Sequence, residues 1–434
     1  MSSLWCIPAA LAVLLLSACN ETPSRTKGPV QVPKVESADG QGEATAARVG
    51  PQPSGVPVET APPNVPELKP AFAGQTRAEA RTTRTKFKVE DVATELEQPW
   101  ALDFLPDKRL VVTEKHAGRL RIIGPGGQKS PAVSGVPPVV GEDQVGLLDV
   151  VVAPDHATSR LLYFSYVEPR QGGNGLNVAR ARLVDDGKAP KLTELEILFK
   201  ATPTLESSKH AGGRLTFGPD GHLYVALGER SVKAGRVQAQ DLASHFGKIA
   251  RIQPNGAVPK DNPFVGRAGA RPEIWSSGHR NPLGAAFDAQ GRLWVAEMGP
   301  RGGDELNLIV KGKDYGWPTI GYGEEYSGAP IHETSQAPGM EQPVYYWDPV
   351  ISPGALAIYS GQLFPEWKGN FFIAGLSSKA LIRLIVEGER VTGEERLLTD
   401  REERIREVAQ GPDGALYLLT DGKSGKLLRL TPES

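Results

Sequence analysis

The sequence predicts an all-β fold, a six-bladed β-propeller of four-stranded antiparallel blades, on three observations. One phrase recurs six times: a turn such as Pro-Asp-Gly, an alternating apolar strand, then a strand opened by Gly-Arg/Lys-Leu. The strand segments alternate with period 2, which places successive side chains on opposite faces of a sheet. The chain of 434 residues carries 49 glycines and 37 prolines, a composition that favours many turns over long helices.

The first element is a leader. "MSSLWCIPAALAVLLLSACNETPS" has an apolar run, Ile7 to Leu16, that is short for a bilayer span and leads into Leu16-Ser17-Ala18-Cys19. This predicts a lipoprotein signal peptide over 1–18, with Cys19 the lipidated first residue, although its start lacks Lys and Arg. An ordinary secretory signal cut near Ala18 is the alternative. In both cases the protein leaves the cytoplasm, and in the lipoprotein case it is periplasmic and bound to a membrane only through its lipid anchor. Asn20 after the cysteine favours the outer membrane under the enteric sorting rule. Cys19 is then the only cysteine left, so no intrachain disulfide forms.

Residues 19–85 follow, with Phe72 their one aromatic and with Pro, Gly, Ala and small polar residues dominant. Such a segment has too little apolar surface to offset its ordering entropy, so a disordered tether is expected. The propeller domain spans 86–434. Its six copies read "FLPDKRLVVTEKHAGRLRII" from Phe104, "VAPDHATSRLLYFSYV" from Val152, "FGPDGHLYVALGER" from Phe217, "FDAQGRLWVAEMGP" from Phe287, "LFPEWKGNFFIAGLSSKALIRLIV" from Leu363 and "QGPDGALYLLTDGKSGKLLRL" from Gln410. Their spacing of roughly 45 to 75 residues suits one blade per copy. A β-sandwich with frequent turns is the alternative fold. Lys+Arg 49 against Asp+Glu 51 gives a net charge of -2, with no basic excess to suggest nucleic acid.

Inner strands of a propeller converge on one end of a central channel, so residues at the edges of the repeats are the ones to inspect. Gln144 lies in "EDQVGLLDVVVAP", and His210 precedes a Gly-Gly-Arg turn in "SSKHAGGRLTFGPDG". His279, Arg280 and Asn281 lie in "SGHRNPLGAAFD". The fourth segment is "EMGPRGGDELNLIVKGKDYGWP" from Glu297, too rich in Gly and Pro for a helix and dense in carboxylates. It matches neither an EF-hand loop nor a phosphate loop.

Together "PWALDFLPD", "GLLDVVVAPD", "HAGGRLTFGPDG", "GHRNPLG", "GPRGGDELNLIVKGKDYGWP" and "RIREVAQGPDGALYLL" resemble the soluble PQQ-dependent aldose (glucose/sorbosone) dehydrogenases, in order from about Val89 to Leu430. The resemblance implies a six-bladed propeller that uses PQQ and Ca2+. It would oxidise the C1 hydroxyl of an aldose to a lactone and pass electrons to a quinone or other acceptor. His210 matches the general base, a task suited to neutral imidazole. Gln144 matches a polar residue beside base and substrate. Arg280 matches the arginine that polarises the quinone oxygens, with Asn281 in the same cofactor-binding loop. Arg404 and Arg406 match a pair contacting PQQ, their i, i+2 spacing placing both on one strand face. Trp347, in "YYWDP", matches an aromatic wall of the cofactor pocket. Gly299 and Pro300 match the residues whose carbonyls bind calcium, with Asp304 and Glu305 as support.

Three positions depart from that pattern. Leu283 stands where the family commonly has Gln, Met298 where it has His, and Ser377 where it has a PQQ-contacting lysine. Lys379, two residues on, shares a strand face with Ser377 by period 2 and is the expected substitute. His279 is expected to pack structurally, and the other histidines share no metal-ligand spacing. Two competing readings are a calcium-dependent lactonase, which needs carboxylates where this chain has arginines, and a cell-surface binding propeller without cofactor.

Overall fold

The computed structural model describes residues 55–186 and 189–433. The expected signal peptide 1–18, Cys19 and the tether as far as residue 54 lie outside these residues. Six antiparallel sheets follow one another along the chain. Their first strands are Pro99–Phe104, Leu147–Val152, Gly212–Phe217, Pro282–Phe287, Pro353–Ile358 and Ile405–Gln410. Each neighbours the next in a closed ring around the axis, so the fold is a six-bladed propeller. Five blades have four strands, and the first has three. Its fourth place is held by residues 129–133, through isolated bridges of Lys129 to Ile123 and Val133 to Leu120. The N-terminal strand Phe87–Leu96 pairs antiparallel with Gly425–Pro432 and closes the sixth blade.

The recurring phrase has a physical reason. Second strands such as Leu110–Glu114, Leu223–Leu227, Leu293–Glu297 and Phe371–Gly375 are buried at every position, because blades cover both faces. In three repeats the turn aspartate holds an aromatic side chain of the following strand. Asp220 accepts from the Tyr224 hydroxyl at 3.0 Å and Arg251 at 2.9 Å. Asp413 takes the Tyr417 hydroxyl at 3.1 Å and Arg429 at 2.8 Å. Asp288 holds the Trp294 indole at 2.9 Å. The apolar core lies between blades, as where Trp294, Leu306, Trp347, Phe371 and Ile382 pack together.

In all six blades the pairing of first with second strand slips in register near the start of the first strand. Such bulges bend a strand and re-aim its side chains. Here they cluster at the end of the channel that carries the site.

The expected tether is corrected over residues 55–85, which pack on the outer strands of blades four and five. Ala80 bridges Glu394, and the backbone amide of Asn64 donates to Asp348 at 2.9 Å. Arg77 donates to the Asp348 carbonyl at 2.9 Å, and the Ala78 amide to the Tyr345 hydroxyl at 2.8 Å. Gln75 is fully buried. Specific polar pairing orders this segment where apolar content alone does not, and it covers the exposed edge at Glu394. Among the described residues, no helix is long and apolar enough to cross a membrane.

Candidate active site

The starts of the first strands and the turns between second and third strands surround a cavity of about 370 Å³. Gln144, Asn281, Arg404 and Arg406, four of the residues singled out above, line it. Leu283 and Met298 form part of its apolar wall, and Trp100 and Tyr326 add aromatic surface.

His210 sits where loop becomes strand, with φ 45 in the left-handed region. The two glycines that follow are required. A Cβ on Gly212 would meet the Ala226 carbonyl at 2.6 Å, and one on Gly213 the Leu148 side chain at 2.6 Å. The Gln144 side chain accepts from the His210 amide at 3.1 Å, and Asn281 from the Gly212 amide at 3.2 Å. The His210 Nδ1 lies 2.7 Å from Glu229 Oε1, with both side chains buried. Burial, then the nearby Arg280 charge, lowers the imidazole pKa to about 4 despite the Glu229 carboxylate. The ring is therefore neutral over the physiological range. A neutral ring with Nδ1–H donated to Glu229 leaves Nε2 as the free base.

Arg280 is buried, and its backbone amide donates to Glu297 Oε2 at 2.8 Å. The guanidinium donates to the Met298 carbonyl at 2.9 Å and to the Gly299 carbonyl, and lies 5.3 Å over the Trp317 ring. His279 packs structurally, as expected. It lies between Ser276 and Glu297 at 2.9 Å each and stacks on Tyr315.

Gly299 and Pro300 line a second, very small cavity of about 10 Å³, together with Arg280, Glu297, Glu305 and Tyr315. Asp304 braces the turn, accepting from the amides of Gly299 at 2.7 Å, Ile351 at 2.8 Å and Ser352 at 2.6 Å. Asn307 joins Glu297 and Glu305 at 2.9 and 3.1 Å. Burial first, and the Glu297 charge second, push the Glu305 pKa well up. Among the described residues, no group of three or more His, Cys, Asp or Glu forms a metal cluster. Carbonyl and carboxylate oxygens are nevertheless the donors calcium takes.

Across the main cavity, Asp421 gathers the two arginines. Arg404 reaches it at 3.1 Å, and Arg406 at 3.0 Å and 3.2 Å. The i, i+2 pair thus acts on one side, as expected. Burial raises the Asp421 pKa, but the Arg406 and Arg404 charges outweigh it and hold the carboxylate below its usual range.

Of the expected cofactor residues, Arg280 lines the second cavity rather than the main one, and Trp347 and Lys379 line neither. Trp347 lies on the outermost strand of blade four, in the core between blades, its indole donating to Glu394 at 3.1 Å. Strand alternation and the inter-blade apolar cluster draw it there. Lys379 is exposed, with φ 49, in the turn before the strand Ala380–Glu387. Residues 377–379 form a turn, so the period-2 argument does not apply to them. The sequence reading in turn missed Glu229, Asp421 and Lys115. Glu229 had one available signal, its place at the end of the "YVALGE" strand of the same blade as His210.

The model of the family described as glucose/sorbosone dehydrogenase matches residues 96–429. The aldose sugar dehydrogenase YliI of Escherichia coli is 45% identical over 350 residues, covering 80% of this chain and 93% of its own length. The crystal structure of the soluble E. coli aldose sugar dehydrogenase in its apo form superposes with TM-score 0.77 at 44% identity, over 80% of this chain and 100% of that one. The PQQ-bound aldose sugar dehydrogenase of Streptomyces coelicolor gives TM-score 0.67 at 28% identity, over 81% and 100%. With that family model matching most of the chain and a relative 45% identical over 80% of it, the chain belongs to the glucose/sorbosone dehydrogenase family.

Proposed function

We propose that the protein is a PQQ-dependent sugar dehydrogenase that oxidises the C1 hydroxyl of an aldose to the lactone, with His210 as general base. The observation that carries this reading is the neutral His210, held by Glu229 beside a cavity whose far side is cationic. PQQ, when bound, supplies a quinone that accepts a hydride. The cavity suits such a group, because a flat, multiply charged carboxylate needs cations, and Arg404, Arg406 and Lys115 line the space.

The protein's part is binding, orientation and proton handling. Nε2 of His210 takes the proton of the C1 hydroxyl, so that the hydride departs from an alkoxide-like carbon. Glu229 holds the tautomer that leaves Nε2 free and stabilises the imidazolium as it forms. Gln144 fixes the loop through the His210 amide and stands at the cavity wall for a sugar hydroxyl. Arg280 holds positive charge where the oxygen of the acceptor develops negative charge. Calcium would be held by Gly299, Pro300 and Glu305, and would supply positive charge to the acceptor. The Arg280 guanidinium donates to the same Gly299 carbonyl, at the boundary between the two cavities.

Export as a lipoprotein, and electron transfer to a quinone or other acceptor outside the cytoplasm, complete the proposal. The test is to add PQQ, with and without calcium, to the purified protein and follow dye reduction with a panel of aldoses. Sugar-dependent reduction that needs PQQ supports the reading. Absence of both reduction and PQQ binding would leave a binding propeller.

A further inference from the structure

The main cavity carries a third cation, with a role that the sequence motifs did not assign. Lys115 follows the strand Leu110–Glu114, and its side chain lines the cavity while the residue is only 7% exposed. Its neighbour Glu114 is satisfied by Arg119 and Arg121 and does not pair with it. The Lys115 Nζ donates to one group, the backbone carbonyl of Asp143, at 2.6 Å. Among the described residues no carboxylate lies in ion-pair contact with it.

A covered ammonium without an anion is costly, and proteins keep such a group where a ligand supplies the missing charge. The other charges of the cavity do not supply it. Asp421 is shared by Arg404 and Arg406, and the Asp143 carboxylate reaches out to Lys209 at 3.6 Å. We propose that Lys115 is the third cationic arm of the cavity, binding a carboxylate of the anionic quinone cofactor together with Arg404 and Arg406. This rests on the PQQ reading above and places on Lys115 the role expected of Lys379. Lys379 lies outside the cavity lining, whereas Lys115 is inside it with donors to spare: one of three ammonium hydrogens is used by Asp143.

The electrostatics support the geometry. Burial, then the Arg406 charge, lowers the Lys115 pKa to about 8, with Arg404 adding to the effect and Asp421 and Asp143 opposing it. The His116 ring shares the Asp143 carbonyl at 2.8 Å. A carboxylate ligand restores the proton, so binding takes up a proton above pH 8 and weakens as pH rises. Arginine at this position stays charged throughout.

The test is calorimetric titration of PQQ into the full chain produced without cofactor, at fixed ionic strength. At pH 7, Lys115→Met raises Kd at least tenfold, Lys115→Arg stays within about threefold, and Lys379→Met leaves Kd unchanged. Between pH 7 and 9, wild-type Kd rises several-fold while that of Lys115→Arg stays flat, an arm that does not depend on the neutral variant folding. Wild-type binding with Lys115→Met unaffected, or with identical pH profiles for wild type and Lys115→Arg, overturns the role of Lys115 and leaves the PQQ reading standing. Failure of wild type itself to bind PQQ overturns both.

Discussion

Nδ1 of His210 and Oε1 of Glu229 are 2.7 Å apart, and neither side chain is open to solvent. The pair joins the loop before one strand to the end of the next, so the carboxylate sets the tautomer of the imidazole proposed as the base. Replacing it with an amide keeps the shape and removes the charge that steadies the imidazolium. Glu229→Gln is expected to lower kcat by roughly 10²-fold with little change in KM. Steady-state kinetics of the PQQ-loaded protein measure it, and an unchanged kcat would refute the pairing.

The pH profile follows from the same ring. Protonation removes the base, and the folded pKa is about 4 rather than 6.5. Activity should therefore fall only as pH drops below about 5, with a flat kcat/KM from there through neutrality. An acid limb centred near 6.5 would show that Arg280 and burial do not act on His210 as described.

Arg406 is buried and makes two contacts to Asp421 at the cavity wall. On the proposed reading its loss would remove charge-assisted hydrogen bonds to an anionic cofactor, each worth about 1.5–3 kcal/mol. Arg406→Leu should weaken PQQ binding by roughly 10- to 100-fold, and the remaining affinity should fall less steeply with added salt. Titration at two ionic strengths checks both.

Trp347 offers a contrast. It packs against Tyr345 at a centroid separation of 5.0 Å and donates to buried Glu394. Trp347→Phe is expected to destabilise the fold by about 1–3 kcal/mol, through lost packing and one lost hydrogen bond to Glu394, which keeps Tyr345 and Arg396. PQQ affinity should not change. Chemical denaturation and cofactor titration on one variant separate the two roles.

The segment before the first strand is a structural part of the propeller. Gln75 accepts from the Ala71 amide at 2.7 Å and the Tyr322 hydroxyl at 3.0 Å, and donates to the Pro343 carbonyl at 2.8 Å. Gln75→Ala leaves the Ala71 amide and the Pro343 carbonyl without this partner, while Tyr322 keeps Gln342 at 2.6 Å, and should cost about 1–3 kcal/mol. Unfolding at the wild-type midpoint would show that the segment does not hold the fold.

The blades were legible because each repeat states its own local rules. An Asp-containing turn, an aromatic that its carboxylate can hold, and an arginine on a nearby strand recur together, as in Asp220, Tyr224 and Arg251. His210, Gln144, Asn281, Arg404 and Arg406 were legible because they flank those repeats. Lys379 was misplaced because period 2 was carried across a turn, and Trp347 because a motif match says nothing of its packing against a neighbouring blade. Lys115 and Glu229 were missed because each ends a strand that reads as ordinary core. Only the ring of blades aims them inward. The packing of residues 55–85 was hidden because it depends on single hydrogen bonds to Asp348, Tyr345 and Pro343, which leave no periodic trace.

The most direct measurement is anaerobic mixing of the PQQ-loaded protein with an aldose, following the quinone absorbance in wild type and in His210→Ala. The account predicts rapid, sugar-dependent bleaching in wild type. In the variant it predicts bleaching slowed by roughly 10²-fold or more, with PQQ affinity unchanged. Equal rates in the two proteins would contradict the assignment of His210 as the base, and no bleaching in wild type would contradict the dehydrogenase.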